Sequence, residues 1–322
     1  MGTQKMRRIG VVGLGLMGSS IIVSFLNAGY VVVALTPLAE EYDTGSQRIF
    51  DQLRLCHKMG LLKKSLDYYI SSLIITTDYK DLSACDLVVE CVIEIEEIKA
   101  KVYKSIEETV NSKAVIATNT SAIPISKLQE YLNIPNRFIG IHWAEPAYAT
   151  RFLEITCGAK SDKKIAEYVK EEAENWEKEP TLLYKDIRGF ITNRLMYAVY
   201  REGFHLMDNN VASMASLDKC FQYDIGSWIS IMGIFKRMDY IGLKSYLDSY
   251  AKIFPKLSNT NEVPEVMTRI ASTKGRGIHN LDGLYPHTEE SAAELDKTLA
   301  SFNEEIYRLV DVYRAKKAHL NL

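Results

Sequence analysis

Residues 9–18 read IGVVGLGLMG, an apolar β-rich run leading into Gly13, Gly15 and Gly18 in GxGxxG spacing, with a helical pattern directly behind them. Gly13 allows a tight turn, Gly15 lets a pyrophosphate come close, and Gly18 lets the following helix pack on the strand, with the anion at the helix N-terminus. Leu16 and Met17 lie in the same loop and complete its cofactor-binding set. A lone glycine pattern is weak. Here VVVAL (31–35) follows, so the order is strand, loop, helix, strand, which a dinucleotide site requires.

Outward from this loop the same alternation continues. IGVVG, VVVAL, LIITT, DLVVEC, AVIAT, RFIGIH, FLEIT and TLLY alternate with helical patterns from Ile9 to about Lys185. That pattern predicts an α/β fold with a doubly wound, Rossmann-type sheet. From about Gly189 strand signals stop, and FITNRLMYAVYREGFHLMDNN (190–210) places apolar residues at three- and four-residue steps. An all-α C-terminal domain is expected, with residues 1–187 binding the dinucleotide and 188–322 serving substrate and dimerisation. Leu295, Leu299, Phe302, Ile306, Leu309 and Tyr313 form a heptad-like stripe, either docked on its own domain or forming a homodimer seam.

Composition narrows the function classes. With 39 Lys+Arg against 41 Asp+Glu, the net charge of −2 argues against a broadly cationic nucleic-acid or membrane surface. Apolar runs are too short to span a bilayer. The first strand begins close to the start and leaves no room for a signal peptide, and the five cysteines lack CxxC spacing. A cytoplasmic protein with reduced thiols is expected. The histidines show no HExxH spacing, so no metal site is expected.

The end of the second strand departs from the usual pattern. An Asp or Glu there binds the ribose hydroxyls of NAD, but the chain continues Leu35, Thr36, Pro37. Thr36 can offer one hydrogen bond and carries no charge to repel a 2′-phosphate. No Arg beside it points to NADP. NAD is the expected cofactor, with NADP left open.

His142 ends RFIGIH, where open α/β sheets place their ligands, and Glu154 lies on the next strand, FLEIT. Across neighbouring strands the carboxylate can fix the imidazole tautomer and stabilise the imidazolium formed when His142 takes a proton. TNTSAIPI (118–125) supplies a polar turn with Asn119 and Ser121, and FITNRL (190–195) brings Asn193.

Together with VVECVIE (88–94) and GIHWAEPAYATRFLEI (140–155), these segments resemble the L-3-hydroxyacyl-CoA dehydrogenase family, which includes the lambda-crystallin and sugar-acid dehydrogenase branch. The resemblance runs from Ile9 to about Tyr285. It implies an oxidoreductase of fatty-acid metabolism with His142 as general base, Glu154 orienting it, and Ser121 and Asn193 bonding the reacting oxygen. It also implies that Glu94, Lys99 and Asn119 lie near the nicotinamide end.

Glu145 stands where the family writes Asn, which puts the substrate in doubt more than the reaction. Arg48, Arg54, Lys58, Lys63 and Lys64 follow the second strand and could meet a CoA diphosphate, with Glu145, Lys63 and Lys64 the substrate candidates. The expected substrate is a 3-hydroxyacyl-CoA. The alternatives are a CoA-free 3-hydroxy acid or sugar derivative, or a dinucleotide-binding protein without turnover.

Overall fold

The computed structural model describes residues 6–318. The chain divides into two compact units between Ile191 and Thr192, near the proposed junction at 187/188.

The first unit holds one eight-stranded sheet: β1 (Arg8–Val12), β2 (Val31–Leu35), β3 (Leu73–Thr76), β4 (Leu87–Glu90), β5 (Val115–Thr118), β6 (Phe138–Trp143), β7 (Phe152–Cys157) and β8 (Glu179–Leu183). Their order is β3-β2-β1-β4-β5-β6-β7-β8, and every neighbouring pair is parallel except β6 with β7. β1, β2, β4 and β5 are almost continuously apolar because helices cover both faces of a parallel sheet.

Those helices are α1 (Leu16–Asn27), α2 (Tyr42–Lys58), α3 (Leu66–Ser71), α4 (Glu96–Thr109), α5 (Ile125–Leu128) and α6 (Lys163–Glu174). One core joins Ile21, Ile22 and Phe25 of α1 to Val11, Val32, Trp143 and Trp176. The other joins Val102, Tyr103 and Ile106 of α4 to Val12, Val88 and Phe138. The strand order reverses between β1 and β4, so the ends of these two strands flank the crevice where such sheets take ligands.

The second unit is helical: α7 (Thr192–Asp208), α8 (Met214–Cys220) with a π turn over Phe221–Ile225, α9 (Gly226–Ile241), α10 (Leu243–Ile253), α11 (Glu265–Ser272) and α12 (Glu289–Ala318). The apolar stripe from Leu295 to Tyr313 lies on α12. No helix among the described residues is long and apolar enough to cross a membrane.

Candidate active site

The glycine loop joins β1 to α1 at the strand-order reversal. Gly13 adopts φ +103°, and a Cβ there would lie 2.8 Å from the backbone of Cys91. A Cβ on Gly18 would meet the Gly13 carbonyl oxygen at 1.8 Å, so helix and loop touch backbone to backbone. Gly15 differs, because a Cβ there meets nothing within 4 Å and would project into open space. Gly15 is also the N-cap of α1, and no side chain caps the helix. Open space in front of uncapped N–H groups, with Leu16 and Met17 in the first turn, fits a pyrophosphate. Arg48 from α2 braces the loop by donating to the Leu14 carbonyl at 2.5 Å.

Thr36 is fully buried. Its hydroxyl donates to the Leu38 carbonyl (3.1 Å) and accepts from the Leu38 N–H (3.3 Å), so it shapes the turn and a ribose would have to compete for it.

At the end of β4 lies a buried polar cluster built on Glu90, which is fully buried. Its carboxylate accepts from Lys99 Nζ (2.8 and 3.1 Å), the Tyr103 hydroxyl (2.8 Å), the Thr118 hydroxyl (2.7 Å) and the Val92 N–H (2.7 Å). Burial alone would lower the Lys99 pKa. The charge of Glu90, with that of Glu94, outweighs it and holds the ammonium above its ordinary value. Burial and then the Glu90 charge push the Tyr103 phenol well up.

Lys99 also reaches Glu94 at 3.1 Å, and Glu94 accepts from the Thr120 hydroxyl. Thr120 in turn accepts from the Ile123 N–H (3.1 Å), shaping the turn that exposes Ser121. Lys99 is thus enclosed, its side chain 1% exposed. Asn119 donates its N–H to the Glu90 carbonyl (2.8 Å) and accepts from the Trp143 N–H (3.0 Å), tying the ends of β4, β5 and β6 together.

His142 and Glu154 are direct partners in the antiparallel β6–β7 register. Nδ1 of His142 lies 2.9 Å from Oε2 of Glu154, and both side chains are largely buried. A carboxylate can only accept, so Nδ1 carries the proton and Nε2 is the nitrogen able to take one. Phe152 meets the imidazole edge-on at 5.6 Å, and Phe190 lies tilted at 5.8 Å. The following turn is fastened from two sides. The Ala147 N–H donates to Ser20 Oγ (2.6 Å), and Lys178 Nζ donates to the Ala147 and Thr150 carbonyls, each at 2.5 Å. Glu145 is exposed on this turn.

The remaining candidates are Asn193, Lys63 and Lys64. Asn193 stands in the first turn of α7, in the helical unit. Lys63 pairs with Glu177 at 2.7 Å, and Lys64 is exposed with its N–H on the Tyr69 hydroxyl. The contacts of Lys63 and Lys64 do not run to His142. Among the described residues, no cluster of His, Cys, Asp or Glu could hold a metal ion. Sequence reasoning missed Glu90, Tyr103, Thr118, Thr120 and Phe190. An acid at the end of an apolar strand, as in VVE, was a signal for the first of these.

Comparison with known proteins fits this geometry. Residues 8–187 match the 3-hydroxyacyl-CoA dehydrogenase NAD binding domain, and residues 189–286 match the C-terminal domain of the same family. The chain belongs to the 3-hydroxyacyl-CoA dehydrogenase family. Like its relatives in that family it is an NAD-dependent dehydrogenase.

Its family relatives differ in substrate. The chain is 28% identical over 290 residues to the 5-formyl-3-hydroxy-2-methylpyridine 4-carboxylate 5-dehydrogenase of Mesorhizobium japonicum, covering 90% of this chain and 93% of the relative. It is 30% identical over 240 residues to a probable 3-hydroxybutyryl-CoA dehydrogenase of Deinococcus radiodurans, covering 74% and 85%. It is 29% identical over 317 residues to the L-carnitine dehydrogenase of Oceanobacillus iheyensis, covering 96% and 99%. A solved structure of a 5-formyl-3-hydroxy-2-methylpyridine 4-carboxylic acid 5-dehydrogenase, described as an NAD+-dependent dismutase, superposes with a TM-score of 0.87 at 27% identity, covering 95% of this chain and 99% of that one.

Proposed function

We propose that the protein interconverts a secondary alcohol and a ketone with His142 as the general base. The observation that carries this reading is the His142–Glu154 pair. Glu154 holds Nδ1 as the protonated nitrogen, so Nε2 is free to accept the hydroxyl proton. Glu154 then stabilises the imidazolium that forms, and Ser121 donates to the reacting oxygen. Bound NAD supplies the hydride acceptor. Gly13, Gly15, Leu16, Met17 and Gly18 would hold its pyrophosphate, and Glu94, positioned by Lys99 and Thr120, would lie at its nicotinamide end.

For the substrate, a CoA-free 3-hydroxy acid fits better than the 3-hydroxyacyl-CoA expected from the sequence. Three of the cations available for a CoA diphosphate are already engaged: Arg48 on Leu14, Arg54 on Asp51 and Lys63 on Glu177. Among the relatives, the carnitine dehydrogenase aligns over nearly the whole of both chains. The acyl-CoA reading keeps its support from the 3-hydroxybutyryl-CoA dehydrogenase relatives.

A screen of NADH oxidation decides between them, using acetoacetyl-CoA, acetoacetate, other free 3-keto acids and keto sugars. A free keto acid should show the highest kcat/KM. A preference for acetoacetyl-CoA would restore the CoA reading.

The helical unit supports self-association into a homodimer. Among its described side chains none is buried, while Leu195, Tyr197, Phe235, Leu243, Leu247 and Phe302 stand among many exposed apolar groups. Apolar surface on this scale marks an interaction face. Sedimentation should give a dimer at micromolar concentration, and a monomer there would contradict it.

A further inference from the structure

The segment between β8 and α7 is fastened to the first unit at two points. Near its start Asp186 accepts from both the N–H (2.6 Å) and the hydroxyl (2.9 Å) of Ser126 in α5. At its end the Ile191 N–H donates to Oε1 of Glu154 at 3.1 Å, while Oε2 of the same carboxylate holds His142. Each oxygen therefore has its own task, and the carboxylate cannot turn without giving up one of them.

Between these anchors the chain reverses through Gly189, at φ +80°, and Phe190, at φ +48°. Gly189 adopts that conformation freely. For Phe190 it is unfavourable, and such a conformation persists only where the surroundings over-determine it. The surroundings here are the His142 ring and the apolar core. Phe190 is 1% exposed, its N–H donates to the Ile187 carbonyl (2.9 Å), and its ring lies against the imidazole on which Phe152 also packs.

We propose that Phe190 is a positioning residue for the reaction at His142. Its ring, with the Ile191 N–H that its turn presents to Glu154, holds the imidazole–carboxylate pair in a single orientation. The hydrogen bond to Glu154 fixes which nitrogen carries the proton, but it leaves the two side chains able to swing together. Phe190 and Phe152 block that swing, and Ile191 pins the carboxylate. This inference rests on the reading of His142 as the base.

The test uses the full-length enzyme with NADH and the fastest carbonyl compound of the screen above. Phe190→Leu keeps an apolar side chain and removes the ring, and Phe190→Ala removes more. Both should lower kcat, by on the order of 10²-fold as displaced catalytic groups do. KM and the NADH Kd, followed by fluorescence titration, should stay within roughly threefold. In a cycle with Glu154→Gln the double variant should lose much less than the product of the two single effects, because all act on one imidazole.

Full additivity, or an unchanged kcat with only a lower Tm, would make Phe190 a packing residue and overturn the inference. His142→Gln separates the two levels. If it is inactive and Phe190→Leu is not slowed, the inference alone fails; if His142→Gln turns over normally, the base reading fails and carries the inference with it.

Discussion

Glu154 faces His142 across the β6–β7 ladder, its Oε2 2.9 Å from Nδ1, while its Oε1 takes the N–H of Ile191. Exchange for Gln keeps the shape and removes the charge that stabilises an imidazolium. A hydrogen bond to a charged group is worth about 1.5–3 kcal/mol. Glu154→Gln should therefore lower kcat roughly ten- to a hundredfold, with little change in NADH Kd. Equal effects on kcat and cofactor binding would assign Glu154 to the fold rather than to His142.

The three loop glycines should respond differently to a side chain. Gly15→Val projects into open space, so the protein should fold with near-normal Tm while NADH Kd rises at least tenfold, which is about 1.4 kcal/mol. Gly18→Ala drives a methyl into the Gly13 carbonyl and should lower Tm as well. Normal NADH binding by Gly15→Val would remove the pyrophosphate from this loop.

Lys99 and Glu90 are both fully enclosed. Lys99→Met leaves a buried carboxylate without its cation, which typically costs about 3–5 kcal/mol. The three other donors on Glu90 argue for the lower end of that range. Urea unfolding should also show that Glu90→Gln restores part of the loss in the Lys99→Met background. Strict additivity would show that the two charges do not depend on each other.

Burial pushes the Lys178 ammonium down to about 8 from the ordinary 10.5. Between these values the unfolded chain binds a proton that the folded chain has lost, so this group makes stability rise with pH across that window. Below pH 8 the lysine is charged in both states and adds no slope. Lys178→Met should therefore unfold with a flatter pH dependence between 8 and 10.5 than the parent. Identical slopes in urea titrations would show that Lys178 is not neutralised in the fold.

Much of this was legible in the sequence, and the reasons are local. Each strand of the sheet reads as a short β-rich run between helical patterns, and the glycine spacing fixes where β1 turns. His142 and Glu154 could be paired because they end and enter adjacent strands. Thr36 could not be read fully, since a threonine at a strand end can face a ribose or, as here, close its own turn. The burial of Lys99 cannot be read from its charged surroundings, EEIKAK (96–101), and follows only once α4 packs it over Glu90. Arg48, expected as a diphosphate partner, is drawn to the Leu14 carbonyl by a contact 34 residues away. Phe190 is an ordinary apolar residue in sequence, and only the reversed backbone at Gly189 brings its ring to the imidazole.

The central claim is that His142 moves the substrate proton. The most direct test compares wild type with His142→Gln, measuring kcat with the best carbonyl substrate of the screen and Kd for NADH. General-base catalysis is typically worth about 10²–10⁴-fold, so kcat should fall by that order while NADH Kd stays close to wild type. Turnover at the wild-type rate by His142→Gln would contradict the account.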